Sequence, residues 1–85
     1  MKLFYRLDPD KYRDALDKIK NEYDMHEEVD EAKTMLLLNT EDKIELVSGM
    51  YDPAEDDVAT IRVVLVDESL KGFFDSVLGE PYKVR

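Results

Sequence analysis

The 85-residue chain is acidic, with 21 aspartate and glutamate residues against 12 lysine and arginine residues and a net charge of −9 at pH 7. This length predicts a single domain over residues 1–85. The absence of cysteine and the single histidine exclude disulfide bonds, thiolate nucleophiles and zinc sites built from sulfur or several histidines. No apolar run approaches the roughly 20 residues that a membrane-spanning helix needs, and no secretory signal is evident, so we expect a cytoplasmic protein.

The charge is unevenly distributed along the chain. Residues 1–23 contain six basic and five acidic residues, residues 24–57 contain two and twelve, and residues 58–85 contain four and four. The excess negative charge of the middle segment would repel a phosphate backbone, so we expect no nucleic-acid binding. A basic protein or a hard cation is a more suitable partner for this segment.

The chain begins with a predicted strand and a predicted helix. The alternation of polar and apolar residues from Lys2 to Leu7 is typical of a strand with one apolar face. Asp8 and Pro9 suit the N-cap and the first position of a helix, which we predict from about Pro9 to Asp24. The apolar stripe of this helix contains Tyr12, Leu16, Ile19 and Tyr23.

The middle of the chain predicts an acidic loop followed by a hairpin. Carboxylates are dense from Met25 to Lys33, and we interpret this segment as a loop. Residues Thr34 to Leu38 and Lys43 to Met50 flank a polar cluster and predict the two arms of a β-hairpin. Gly49 in the second arm indicates a bulge or a close approach to the backbone. A loop from Asp52 to Asp57 follows.

The last third predicts a central strand, a helix and a short edge strand. Residues Thr60 to Val66 are rich in β-branched side chains, which favours a strand. Asp67 suits the N-cap of a second helix, which Gly79 and Pro81 end. The apolar stripe of this helix contains Leu70, Phe73, Phe74, Val77 and Leu78. Residues 82–85 add the edge strand.

These elements predict an α+β fold. The order is β-α-β-β-β-α-β, and two amphipathic helices need an apolar surface to cover. We therefore expect a two-layer sandwich with two helices on one face of a mainly antiparallel sheet of four or five strands.

The other face of this sheet is expected to carry apolar residues as well. If Leu3, Tyr5 and Leu7 face the helices, then Phe4 and Val64 face the opposite way. The further residues expected there are Val66 and either Met35 with Leu37 or Leu36 with Leu38. Such a face packs on a second copy as a homodimer, on another partner, or on the acidic segment 25–33 folded back over it. The alternative is a solvated face that Arg62 and Lys2 cover with their aliphatic stems.

The loop after the hairpin is the candidate metal site. Its carboxylates belong to Asp52, Glu55, Asp56 and Asp57. Calcium takes six to eight oxygen ligands, and a flexible loop with this spacing brings several carboxylates around one ion. The loop has no glycine and does not match the EF-hand pattern. Its alternative interpretation is a solvated acidic turn.

The sequence favours a binding module over an enzyme. His26 with a neighbouring carboxylate is one acid–base candidate, but no positioned partner or nucleophile motif accompanies it, and the many carboxylates of the chain single out no catalytic pair. Our leading hypothesis is a protein-interaction or regulatory module that needs no cofactor and presents residues 24–57 as a negative surface to a basic protein partner. The alternative function is calcium binding by the loop Asp52 to Asp57.

Overall fold

The computed structural model of the chain describes residues 1–31, 33–38 and 43–85. Within these residues it confirms the predicted α+β sandwich, with six strands instead of four or five. The elements in chain order are β1 (Lys2–Leu7), α1 (Pro9–Tyr23), β2 (Met25–Asp30), β3 (Lys33–Leu38), β4 (Ile44–Met50), β5 (Ala59–Leu65), a 3-10 turn (Glu68–Leu70), α2 (Lys71–Leu78) and β6 (Lys83–Val84).

The strands form one antiparallel sheet in the order β2-β3-β4-β5-β1-β6. Strands β2 to β5 follow one another as a meander, and β1 lies between β5 and β6. The strands from residues 24–57 therefore form one half of the sheet, and the strands from the two ends of the chain form the other half.

The acidic loop predicted from Met25 to Lys33 is wrong, because this segment contains the edge strand β2. Its six residues pair in register with β3. Glu27 takes a position on the helix side, where it forms ion pairs with Arg13 and Lys20 of α1. A carboxylate at this inward position hides the alternation that marks a strand. Because β2 belongs to the sheet, this segment does not fold back over the other face.

The predicted hairpin is confirmed by the antiparallel pairing of β3 and β4. Its connecting residues 39–42 lie outside the described part of the chain. The predicted close approach at Gly49 is also confirmed, since a Cβ atom there would overlap the Tyr12 hydroxyl and lie 3.0 Å from two ring carbons of Tyr12. The irregularity of β4 lies instead between Ile44 and Leu46.

The predicted caps of both helical segments are present. The Asp8 carboxylate accepts a 2.9 Å hydrogen bond from the backbone N–H of Asp10 at the start of α1. Asp67 accepts in the same way from Ser69, although the turn that it caps is the 3-10 segment that precedes α2. Gly79 ends α2 with a positive φ of 83°, a conformation that favours glycine.

The core lies between the helices and one face of the sheet. Tyr5 of β1 bonds to Asp75 of α2, and Tyr12 of α1 lies against Gly49 of β4, so both helices pack on the same face. The fully buried side chains on this side include Leu3, Tyr5, Leu16, Ile19, Leu36, Val47, Ile61, Val63 and Phe74. Neither helix in the described residues is long and apolar enough to cross a membrane.

Candidate functional site: the open face of the sheet

The face of the sheet opposite the helices, here called the open face, carries charged side chains near both edges of the sheet. Strand pairing aligns one side chain from each strand into rows across this face. The central row runs from β2 to β6 and contains Glu28, Met35, Ser48, Arg62, Phe4 and Lys83. It begins with an acid, ends with a base and has apolar side chains at its second and fifth positions.

The neighbouring rows repeat this polarity only in part. On one side of the central row, Asp30 lies at the β2 end, Lys33 is its register partner on β3, and Met50, Thr60 and Arg6 follow along the register on β4, β5 and β1. The other neighbouring row contains His26, Leu37, Leu46, Val64 and Lys2. The sheet therefore has a negative edge at β2 and a positive side at β1 and β6.

Strands β1, β5 and β6 form what we call the cationic half of the open face. Their only charged residues are the exposed side chains Lys2, Arg6, Arg62 and Lys83, all on this face. Among the described residues, none of these four forms an ion pair, although the chain has 21 acidic residues. This part of the sheet therefore has the opposite sign of charge to the chain as a whole.

Aromatic rings lie beside three of the four cationic side chains. The Arg6 guanidinium lies 4.1 Å from the centre of the Tyr82 ring. Arg62 and Lys83 lie 6.0 and 5.6 Å from the centre of the Phe4 ring. Cation–π contacts of this kind contribute about 0.5–1 kcal/mol each at exposed sites, and they leave the donors of the cations available to an incoming acceptor.

Strands β2, β3 and β4 form what we call the acidic half of the sheet, after the carboxylates of β2. Glu28 and Asp30 of β2 are exposed, and Glu31 continues the negative edge in the turn that follows. Arg13 donates hydrogen bonds to Glu27, and this contact lowers the pKa of Glu27 below its ordinary value. The ion pair fastens α1 to β2 and so fixes the position of the acidic strand.

The open face has a groove of mixed polar and apolar character, with a volume of about 250 Å³. Its lining includes Phe4, Ser48, Met50, Thr60, Arg62 and Tyr82. Met50 and Tyr82 are each 48% exposed, a high value for large apolar or aromatic side chains. The predicted location of Phe4 and Val64 on the face away from the helices is confirmed, and Met35 and Leu37 accompany them.

The loop Asp52 to Asp57 uses two of its carboxylates within its own turn. Asp52 accepts a 3.0 Å hydrogen bond from the backbone N–H of Ala54, and Asp56 accepts one of the same length from the N–H of Asp52. In the described residues, which include this whole loop, no group of three or more acidic or histidine side chains is arranged to hold a metal ion. Calcium binding by Asp52, Glu55, Asp56 and Asp57 stays a prediction.

His26, the acid–base candidate, is exposed on β2 and pairs in register with Leu37. It therefore belongs to the negative edge of the open face. A catalytic role for it stays a hypothesis that the fold alone does not test.

Sequence reasoning missed the cationic half of this surface. The signal was present, because Lys2, Phe4 and Arg6 alternate with the core residues of β1, and Arg62 does the same on β5. What the sequence does not contain is the order of the strands, which brings β1, β5 and β6 together. Comparison of the chain with protein-family models, with curated proteins and with solved structures gives no match.

Proposed function

We propose that the protein is a non-enzymatic protein-interaction module that presents the acidic half of its sheet to a basic protein partner. One observation carries this proposal: the strand order puts β2 at one edge of the sheet, where its carboxylates Glu28 and Asp30 and the adjoining Glu31 are exposed. Acidic residues that were scattered over the whole surface would not form a local binding surface for a basic partner.

Physical chemistry supports a role in recognition. Exposed charges act together when they lie within a Debye length, about 8–10 Å at physiological ionic strength. Glu28, Asp30 and Glu31 lie on one short strand and its turn, so they fall within this range. A negative patch of this kind accelerates encounters with basic surfaces and selects against acidic ones.

Titration with a deca-lysine peptide, followed by calorimetry, tests the proposal. We expect binding at about 50 mM salt that weakens steeply at about 300 mM, because added salt screens exposed charges. The triple variant Glu28→Gln, Asp30→Asn, Glu31→Asn should lose most of this affinity. Asparagine suits position 31, where φ is +53°.

A control variant removes the same amount of charge elsewhere. Asp14→Asn, Glu22→Gln, Glu80→Gln changes three exposed acidic residues outside residues 24–57. It should retain nearly all of the affinity for deca-lysine. Equal losses in the two variants would mean that only the net charge matters, and the proposed acidic surface would be wrong.

A further inference from the structure

β2 is the outermost strand of the acidic half, and its outer edge is not paired with another strand. We infer that an extended basic segment of the partner pairs with this edge and so adds a seventh strand to the sheet. This inference rests on the proposed function, since it concerns how the acidic half holds its basic partner. In the segment that we expect, basic residues alternate with apolar ones.

The register of β2 shows which of its backbone groups are free. Asp30 and Lys33 are partners with only two residues between them, and partners across so short a connection exchange their backbone hydrogen bonds. Bonded partners alternate along an antiparallel pair, so the backbone groups of Met25, Glu27 and Val29 point away from β3. Among the described residues, no backbone hydrogen bond from outside the sheet reaches Glu27 or Val29. These groups can therefore pair with an incoming strand, as free sheet edges do in peptide recognition.

The open-face side chains of β2 favour basic neighbours. They belong to His26, Glu28 and Asp30, and both carboxylates are exposed. Glu28 has the apolar Met35 as its register partner, so no basic residue of β3 lies opposite it. Lys33 lies opposite Asp30 in the register, so Glu28 is the carboxylate that most favours an added base. A residue beside Glu28 on an added strand would lie about 5 Å away, where opposite charges stabilise a sheet and like charges destabilise it.

The helix side of β2 favours an apolar neighbour instead. Val29 is 63% exposed there, a high value for an apolar side chain. An apolar residue of the added strand would cover it, because cross-strand neighbours on one face pack together. Glu27 on the same side already forms ion pairs with Arg13 and Lys20 and needs no further base. The two sides of β2 together select a segment in which basic and apolar residues alternate.

The edge is short, so we expect a transient complex. Its outward residues Met25, Glu27 and Val29 each offer one donor and one acceptor, which suits a segment of about seven residues. Peptides that add a strand gain affinity from such main-chain bonds and specificity from alternate side chains. We therefore expect a dissociation constant of about 10–100 μM for a short peptide at about 150 mM salt.

Two peptides of identical composition test the added strand. In the first, four lysines alternate with three valines, and in the second the three valines lie together between pairs of lysines. Only the alternating peptide can place its lysines beside Glu28 and its valines beside Val29 along the whole edge. In calorimetry at about 150 mM salt it should bind about tenfold more tightly than the block peptide. The net charges are equal, so charge alone predicts no difference.

Amide hydrogen exchange distinguishes an added strand from a loose contact between charges. In the free chain the outward N–H groups of Glu27 and Val29 should exchange readily. When the alternating peptide is present at about ten times its dissociation constant, their exchange should slow about tenfold, because the bound peptide accepts hydrogen bonds from them. The block peptide at the same degree of saturation should not slow them in this way.

Variants of β2 separate the backbone from the charge. Val29→Pro removes an outward N–H and keeps every carboxylate, and edge strands tolerate proline where its nitrogen faces solvent. It should erase the preference for the alternating peptide, whereas Val29→Thr keeps the N–H and should retain a preference of at least about threefold. Glu28→Gln should weaken binding of the alternating peptide about threefold or more, and Asp14→Asn on α1 is its matched control. Circular dichroism verifies the fold of each variant.

Three results would overturn the inference: equal affinities of the two peptides, unslowed exchange at Glu27 and Val29 in the saturated complex, or a preference that persists in a folded Val29→Pro. If Val29→Pro does not fold, the peptide pair and the exchange measurement decide. If deca-lysine still binds through Glu28, Asp30 and Glu31 when any of these results is found, the proposed function holds and only the added strand is wrong. Slower exchange in β6 instead of β2 would place the peptide at the opposite edge and would also overturn the inference.

Discussion

The Tyr5 hydroxyl donates a 2.8 Å hydrogen bond to the carboxylate of Asp75, which lies 70 residues later in the chain. Tyr5 is fully buried on β1, and Asp75 lies on α2, so this bond ties the second helix to the centre of the sheet. Lys71 forms an ion pair with the same carboxylate one helical turn earlier. The three side chains form a small polar network at the border of the core.

This network makes the fold sensitive to acid. Burial by itself would raise the pKa of Asp75, but the hydrogen bonds from Lys71 and Tyr5 outweigh it and hold that pKa below its ordinary value. A lowered pKa in the folded state stabilises the fold above the unfolded value, about pH 4, and this contribution is lost as the pH falls through the lowered pKa. Asp75→Asn should lower the free energy of unfolding by about 1–2 kcal/mol at pH 7. The deficit should shrink below about pH 4 in urea titrations. A deficit that is constant with pH would contradict this account.

The same bond predicts sensitivity to alkali. Burial, followed by the hydrogen bond to Asp75, raises the pKa of Tyr5 well above its ordinary value. A raised pKa stabilises the fold below about pH 10, and this stability is lost as the pH rises further. Tyr5→Phe should therefore lose less stability than the original chain as the pH rises above about 10. Tyr12 and Tyr23, whose pKa values are also raised by burial, contribute further to the loss of stability in alkali. An unchanged pH profile would show that Tyr5 does not contribute.

The contact between Tyr12 and Gly49 predicts a destabilising substitution and its rescue. Gly49→Ala places a methyl group against the Tyr12 hydroxyl, and overpacking of this kind costs about 1–3 kcal/mol. Adding Tyr12→Phe removes the hydroxyl and should restore part of the loss. Thermal unfolding of the two single variants and the double variant measures this coupling. Additive effects in the double variant would mean that the cost at Gly49 comes from the backbone alone.

The N-cap of α1 provides a simpler test of helix stability. Asp8→Ala removes the acceptor of the Asp10 N–H and should lower the free energy of unfolding by about 1 kcal/mol. Asp8→Ser retains an acceptor and should cost only a few tenths of this. Urea unfolding of both variants measures the difference, and equal losses would show that the cap does not stabilise the fold.

Calcium binding by the loop can be tested without disturbing its fold. Asp56→Asn keeps a side-chain oxygen that can accept from the Asp52 N–H, so the loop should retain its shape. If the loop binds calcium, Ca²⁺ should raise the melting temperature, and Asp56→Asn with Asp57→Asn should abolish the rise. Mg²⁺ serves as the control ion. A rise that persists in this double variant would contradict the sequence-based calcium prediction.

Local patterns predicted most of the fold because most elements follow a single strong signal. β1, β5 and the two helices each place their apolar residues at the period of the element. β2 lacked this signal, because Glu27 occupies an inward position and is stabilised there by Arg13 and Lys20 from another element. The identity of such a partner is a tertiary property that a local window does not contain.

For the open face, too, the sequence predicts what depends on neighbouring residues and does not predict what depends on the pairing of distant strands. Alternation along β1 and β5 placed Phe4 and Val64 away from the helices, as the structure confirms. The separation of charge across the face depends on β1 lying between β5 and β6, a pairing that joins residues about 50 to 80 positions apart. No spacing rule in the sequence indicates that pairing.

The two edges of the sheet also determine how the chain avoids aggregation. Exposed edge strands have free backbone groups that can pair with another chain, and charged or very short strands oppose this. β2 carries Glu27, Glu28 and Asp30 on its two faces, so a second β2 aligned beside it would bring carboxylates together. At the other edge β6 is only two residues long. Growth of the sheet from chain to chain is therefore disfavoured at both ends, and this protects an acidic protein with an uncovered sheet from forming fibres.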